Sequence, residues 1–200
     1  MPNNAVRTKR RIQILEALHR CLLENPFHQT SIKDIANEAG VNHGLLHYYF
    51  QNKEDILLHY IDYTFEKYYT RFIEKFNLKL DQTNITRETM EDLFQWILRE
   101  ISFNPESARI FTEIWAHALY NRKVEKKLHD NYNKWQENVL KALMNFSTDR
   151  HLAKKQSLTL IAFWEGMSLF SIFYDQNDLC TDPDFSTLLK GFVHKEHIIT

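Results

Sequence analysis

An all-α fold is predicted by three features of this 200-residue chain. It holds only 4 Gly and 4 Pro, too few breakers for a sheet with many tight turns. Apolar residues recur at three- and four-residue spacing along most of its length, the signature of one-sided helices. Hydrophobic residues make up 44% and aromatics 14%, enough for a packed core and too many for a disordered chain. The length fits one domain, or a small domain carried on a larger one. About nine helices are expected, with a three-helix N-terminal domain over 1–53 and a second helical domain over 54–200.

The first helix is expected over about 7–24, where Ile14, Leu15, Leu18 and Leu22 share a face with Cys21. Asn25-Pro26 ends it, because proline drives the preceding residue out of helical geometry. Thr30-Ser31 followed by Asp34 has the spacing of a capping box and opens a short helix over 32–39. Gly40 stops that helix, since it takes positive φ without steric cost. Asn42 is an N-cap for a second short helix over 43–50. Asn52 with Asp55 repeats the cap logic. Longer amphipathic helices are then expected over 54–79, 87–103, 105–119, 121–146, 149–175 and 183–195. Pro105 and Pro183 suit first-turn positions, where a missing N–H costs nothing.

Charge is unevenly spread. Residues 1–53 carry seven Lys/Arg against four Asp/Glu, a net of +3, while the whole chain sums to −1. A basic head on an acidic body fits a polyanionic partner at the N-terminal end. Cys21 and Cys180 match no metal or redox spacing and are read as free thiols. No apolar run approaches the ~20 residues that cross a bilayer, and no apolar segment follows the N-terminal charges. A cytoplasmic protein without a membrane partner is therefore expected.

The segment from Ser31 to Phe50 is the most informative. Two short helices meet at a turn containing Gly40, with Ala36 small enough for close approach and Ile35, Ala39, Val41, Leu46 and Phe50 as apolar anchors. This is the sequence form of a helix-turn-helix, whose second helix fits the DNA major groove, about 12 Å wide. Residues 14–57, ILEALHRCLLENPFHQTSIKDIANEAGVNHGLLHYYFQNKEDIL, resemble the DNA-binding domain of the TetR family of regulators. The likeness includes the ILEA start, the TS-I-x-D-IA helix, the AGV turn, the G-x-L-x-x-YF helix and the following N-K-E-D.

That resemblance implies roles by position. Thr30 and Ser31 would meet backbone phosphate, with Lys33 beside them. Asn42, His43, Gly44, Leu45 and His47 would face the groove. Tyr48 would reach a phosphate or base edge, and Lys53 would hold a phosphate. Arg10 and Arg11 would lie near the flanking backbone or minor groove, or form a solvated terminus. His43, Leu45 and His47 depart from the family's usual residues, so the operator sequence does not carry over. His43 and His47 stand at i, i+4, a spacing that can bind a metal, but no Cys or acid cluster accompanies them and no metal or cofactor is expected.

The rest of the chain has no glycine-rich phosphate loop, nucleophile elbow or zincin motif, so an enzyme is not expected. Its many aromatic residues read first as bundle core. Residues 106–140 and 160–173 resemble regulatory helices of the same family, which implies a ligand pocket and a dimer interface built from the last two helices. The candidate pocket residues are Phe94, Ile97, Ile101, Phe111, Trp115, Trp135, Phe163, Trp164 and Met167, with Glu113, His117 and Glu165 as polar handles. An acid among aromatic walls suits a cationic or aromatic amphiphile. The resemblance implies a homodimeric repressor that leaves a palindromic double-stranded operator when an unidentified small-molecule effector binds. The alternative is a helical adaptor or scaffold with a degenerate DNA-binding domain.

Overall fold

The computed structural model describes residues 2–76 and 85–174, with side chains from Ala5 onward. Among these residues every regular element is a helix: α1 (Pro2–Glu24), α2 (Ile32–Glu38), α3 (His43–Tyr49), α4 (Lys53–Phe76), α5 (Arg87–Ile97), α6 (Pro105–Ala118), α7 (Arg122–Leu143) and α8 (Arg150–Phe170). The helix expected over 183–195 lies outside the described residues, as does Cys180.

Two differences from the sequence reading have clear causes. Helix α1 begins at Pro2 rather than near Arg7. The polar stretch before Arg7 shows no apolar periodicity, yet it holds no residue that would stop a helix. The helix expected over 87–103 gives way after Ile97 to a π-helical stretch, Leu98–Ser102. There Phe103 N–H reaches back five residues to Leu98 O at 2.8 Å. Ser102 is buried, and its hydroxyl donates to Trp164 O of α8 at 3.0 Å. The wider turn brings Ser102 onto α8, a tertiary demand that periodicity does not report.

The described residues fall into two compact units. Unit 1 comprises residues up to Phe72 together with Arg109–Asn131, and unit 2 comprises Ile73–Ala108 and the chain from Tyr132. Unit 1 is cored by Ile14, Leu18, Ile35, Leu46, Phe50, Ile56, Tyr60 and Ile61, all essentially inaccessible to solvent. Helix α4 lies along α1 through His19 Nδ1 and the Tyr60 hydroxyl, 2.6 Å apart, and through Glu16, which pairs with Tyr63 and Lys67. It also meets α7, where Asp62 accepts from Lys127 Nζ at 2.7 Å and Asn131 Nδ2 at 2.8 Å. Unit 2 is cored by Leu93, Phe94, Ile97, Leu98, Leu140, Leu143, Leu160, Ile161 and Trp164. Cys21 is a buried free thiol, and desolvation raises its pKa.

Candidate functional site

Local sequence rules build the helix-turn-helix. Ser31 and Asp34 form the capping box: Asp34 N–H donates to Ser31 Oγ at 3.1 Å, and Ser31 N–H to Asp34 Oδ2 at 2.8 Å. Gly40 ends α2 with φ of +61°. Gly40 N–H then reaches Asn37 O and Val41 N–H reaches Ala36 O, both at 3.0 Å, satisfying carbonyls that the last turn leaves open. Asn42 caps α3 by accepting Leu45 N–H at 2.7 Å. Asn52 does the same for α4, accepting Asp55 N–H at 2.8 Å.

Helix α1 then fixes both short helices by their C-terminal ends. Gln13 Nε2 donates to Ala39 O at 2.6 Å. Arg11 Nη1 donates to Tyr49 O at 3.0 Å while its guanidinium lies 4.5 Å from the Phe50 ring centroid. Arg20 pairs with Glu38. Cations at a helix C-terminus also oppose its dipole favourably.

The result is a rigid α3 with one face turned to solvent. Leu46 and Phe50 are buried, and Leu45 and Tyr49 are half-buried. Asn42, His43, Gly44, His47 and Tyr48 are exposed, Tyr48 at 68%. The His43 and His47 rings lie 4.6 Å apart, edge to face. Among the described residues no group of three or more metal-ligating side chains forms. Among the described residues a Cβ at Gly44 would meet Asn42 Oδ1 at 3.6 Å, an ordinary contact, so none of them demands glycine there.

The remaining candidates for DNA contact are placed differently from one another. Ser31 and Lys33 are exposed at the start of α2, and Arg10 is exposed with Nη1 on Gln13 at 2.8 Å. Thr30 is 3% exposed, and its hydroxyl donates to Pro26 O. Lys53 Nζ donates to Phe27 O and Thr30 O, each at 2.8 Å, and sits 4.4 Å from the Phe27 ring centroid. Desolvation there lowers its pKa, and one of the three ammonium donors remains for an outside partner. Sequence reasoning missed Arg7, whose guanidinium lies 6.0 Å from the Tyr48 ring centroid. The signal was its spacing of three and four residues from Arg10 and Arg11 on one continuous helix.

The aromatic candidates divide into two groups. In unit 1, Phe111 packs against Phe65, Tyr68 and Trp115. There too, Glu113 Oε1 accepts Phe27 N–H at 2.6 Å, and the His117 ring meets Phe27 edge-on at 4.9 Å. In unit 2, Phe94 touches Phe163 and Trp164, and Trp164 stacks on Trp135. Glu165 accepts from the Tyr132 hydroxyl at 2.8 Å, and burial pushes its pKa up to about 7. Ile97 is buried in the same unit, with Ile101 and Met167 half-buried. Tyr132 and Ser102 are polar members that the sequence did not single out for this cluster.

A helix-turn-helix whose second helix faces solvent, followed among the described residues by helices alone, is the architecture of a DNA-binding module joined to a helical body. Residues 14–60 match the family model described as bacterial regulatory proteins, tetR family. Over that N-terminal segment the chain is similar to members of this family. It is 33% identical over 79 residues to the fatty acid metabolism regulator protein of Bacillus subtilis, a match spanning 40% of this chain and only 39% of that relative. It is 26% identical over 188 residues to the HTH-type transcriptional regulator PksA of the same organism, covering 86% of this chain and 83% of the relative. A solved transcriptional regulator from Saccharomonospora viridis in complex with choline shares the fold. Its TM-score is 0.70 at 21% identity, over 96% of this chain and 97% of that one.

Proposed function

We propose that this regulator is a homodimeric repressor released from a palindromic operator by a small organic effector. The reading rests on the outward face of α3, where Asn42, His43, Gly44, His47 and Tyr48 are exposed together on a helix capped at both ends. In this reading residues 1–53 form the DNA-binding head and residues 54–200 the regulatory part. Asn42, His43, Leu45 and His47 meet base edges, Gly44 lets the duplex come close, and Ser31, Lys33, Arg10 and Tyr48 meet the backbone. Arg11 and Lys53 act mainly by holding the head rigid, with the remaining Lys53 donor on a phosphate.

Dimerisation is supported by α8. Leu158, Ala162, Leu169 and Phe173 fall on one exposed stripe of it and its C-terminal extension, and Phe173 is 73% exposed. Gly166 continues the stripe, and no described atom lies within 4 Å of where its Cβ would stand. A second copy of α8 would cover this surface. Two heads held about 34–36 Å apart read half-sites one helical turn apart.

The effector is proposed to act through α6, whose Glu113 and His117 contact Phe27. An effector shifts the DNA-bound population only as far as its affinity differs between the two head arrangements. The relatives regulate fatty acid metabolism or bind choline, so small amphiphiles are the first class to screen. Operator affinity measured with and without such a compound tests the reading. A fall of tenfold or more is expected, and equal affinities across every bound compound would overturn it. A DNA affinity independent of salt would overturn the head assignment, since phosphate contacts release counter-ions.

A further inference from the structure

Within unit 2 three aromatic rings form a row. Tyr132 and Trp135 of α7 have centroids 6.1 Å apart and planes inclined by 26°. Trp135 lies nearly parallel to Trp164 of α8, at 5.7 Å and 12°. Phe94 of α5 packs on Trp164 at 5.3 Å. Next to Trp164 on the same helix, the Glu165 carboxylate accepts a hydrogen bond from the Tyr132 hydroxyl at 2.8 Å. No cation pairs with this carboxylate among the described residues. Trp164, only 5% exposed, has an indole N–H that is buried without an acceptor. Tyr132, Trp135 and Glu165 themselves are half-buried.

An acid in such surroundings is costly to ionise, because one phenol cannot replace its hydration shell. Packing alone would be served at lower cost by an apolar side chain of similar size. A cation changes that balance. It neutralises the carboxylate, and its hydrocarbon part rests on ring faces whose quadrupoles attract positive charge.

We propose that Glu165, with the rings of Tyr132, Trp135 and Trp164, binds a hydrophobic organic cation, a quaternary ammonium or an aromatic amine. The inference rests on the reading that a small organic effector binds this protein, and it narrows the effector's class. An anionic amphiphile would meet like charge at Glu165, and a neutral one would leave the acid unpaired.

The test uses the full-length protein, followed by tryptophan fluorescence and calorimetry. Three probes are compared: phenyltrimethylammonium, its neutral isostere tert-butylbenzene, and octanoate. The cation is expected to bind at least tenfold more tightly than the isostere. Glu165→Gln should remove most of that preference while leaving the isostere's affinity within about twofold. Should Glu165→Gln fail to fold by circular dichroism, Trp135→Leu provides the second variant, expected to weaken the cation more than the isostere. Equal binding of cation and isostere, tighter binding of octanoate, or binding of none of the three would overturn the proposal. So would a Glu165→Gln protein that keeps the preference but dissociates into monomers, since the acid would then pair across the dimer. Operator affinity is measured in parallel. A cation that binds as expected but leaves DNA affinity unchanged supports the site and overturns the effector reading.

Discussion

Glu113 of α6 holds the backbone N–H of Phe27 at 2.6 Å, joining positions 86 residues apart in the chain. Lys53 of α4 takes the Phe27 carbonyl at 2.8 Å, with its ammonium 4.4 Å from the ring centroid. The loop between α1 and α2 is thus held at both backbone polar groups of one residue. His117 and Arg109 of α6 add contacts to the Phe27 ring and to Leu23 O.

Glu113→Ala removes the acceptor and leaves a partly buried N–H unpaired. A loss of about 1.5–3 kcal/mol is expected, from the usual cost of deleting a hydrogen bond to a charged group. Urea denaturation measures it. A midpoint identical to that of the unaltered protein would mean the contact contributes nothing. The variant should also respond less to effector, because α6 then has a weaker hold on the head.

Lys53→Ala strips two loop carbonyls of their donor and removes a charge. Stability should fall, and operator affinity should fall by a similar factor for every DNA sequence tested. If the third ammonium donor meets a phosphate, the slope of log affinity against log salt also drops by about one. A variant with altered base preference and unchanged overall affinity would refute the assignment.

His47→Ala should behave in the opposite way. The side chain is exposed near the middle of α3, with its ring edge-on to the exposed His43 ring. Stability should stay within about 0.5 kcal/mol, as for most surface changes. Base preference should shift at one operator position per half-site, read by selection from a randomised operator library. Unchanged preference would remove His47 from the reading face.

Gly40→Ala isolates backbone conformation. A Cβ there meets no atom within 4 Å, so crowding is not at issue. The φ of +61° is, and it should cost about 1 kcal/mol for an L side chain. The urea midpoint should fall accordingly. A neutral effect would mean the turn relaxes to negative φ.

Glu165 sets an expected pH dependence. Burial raises its pKa from the ordinary 4.5 to about 7, so the folded state holds the proton more tightly than the unfolded chain. Its contribution is therefore most favourable below about pH 4.5 and is lost as pH rises to about 7. The loss is on the order of 1–3 kcal/mol after allowing for partial exposure. Glu165→Gln should flatten this slope in a series of urea melts. A slope that persists in the variant would assign it to another group.

Most of the head was legible from residues whose partners lie within five positions. Ser31 with Asp34, Gly40 with Val41, Asn42 with Leu45 and Asn52 with Asp55 each act locally, so spacing alone reveals them. The roles of Arg11 and Lys53 were less legible. Both are basic residues next to a DNA-binding motif, yet their donors go largely to Tyr49, Phe27 and Thr30. Glu113 and His117 read as pocket handles because they share a helix with Phe111 and Trp115. Their contacts with Phe27 come from a distant part of the chain.

Periodicity and capping act over one or two turns, and they sufficed for most of the described helices, their caps, the turn at Gly40 and the face of α3 that carries His43 and His47. Packing settled the rest: α1 locks both short helices, Ser102 sits in a π-helical stretch against α8, and Glu165 lies beside Tyr132. Those arrangements depend on which side chains meet across long stretches of chain, and no local spacing encodes that meeting.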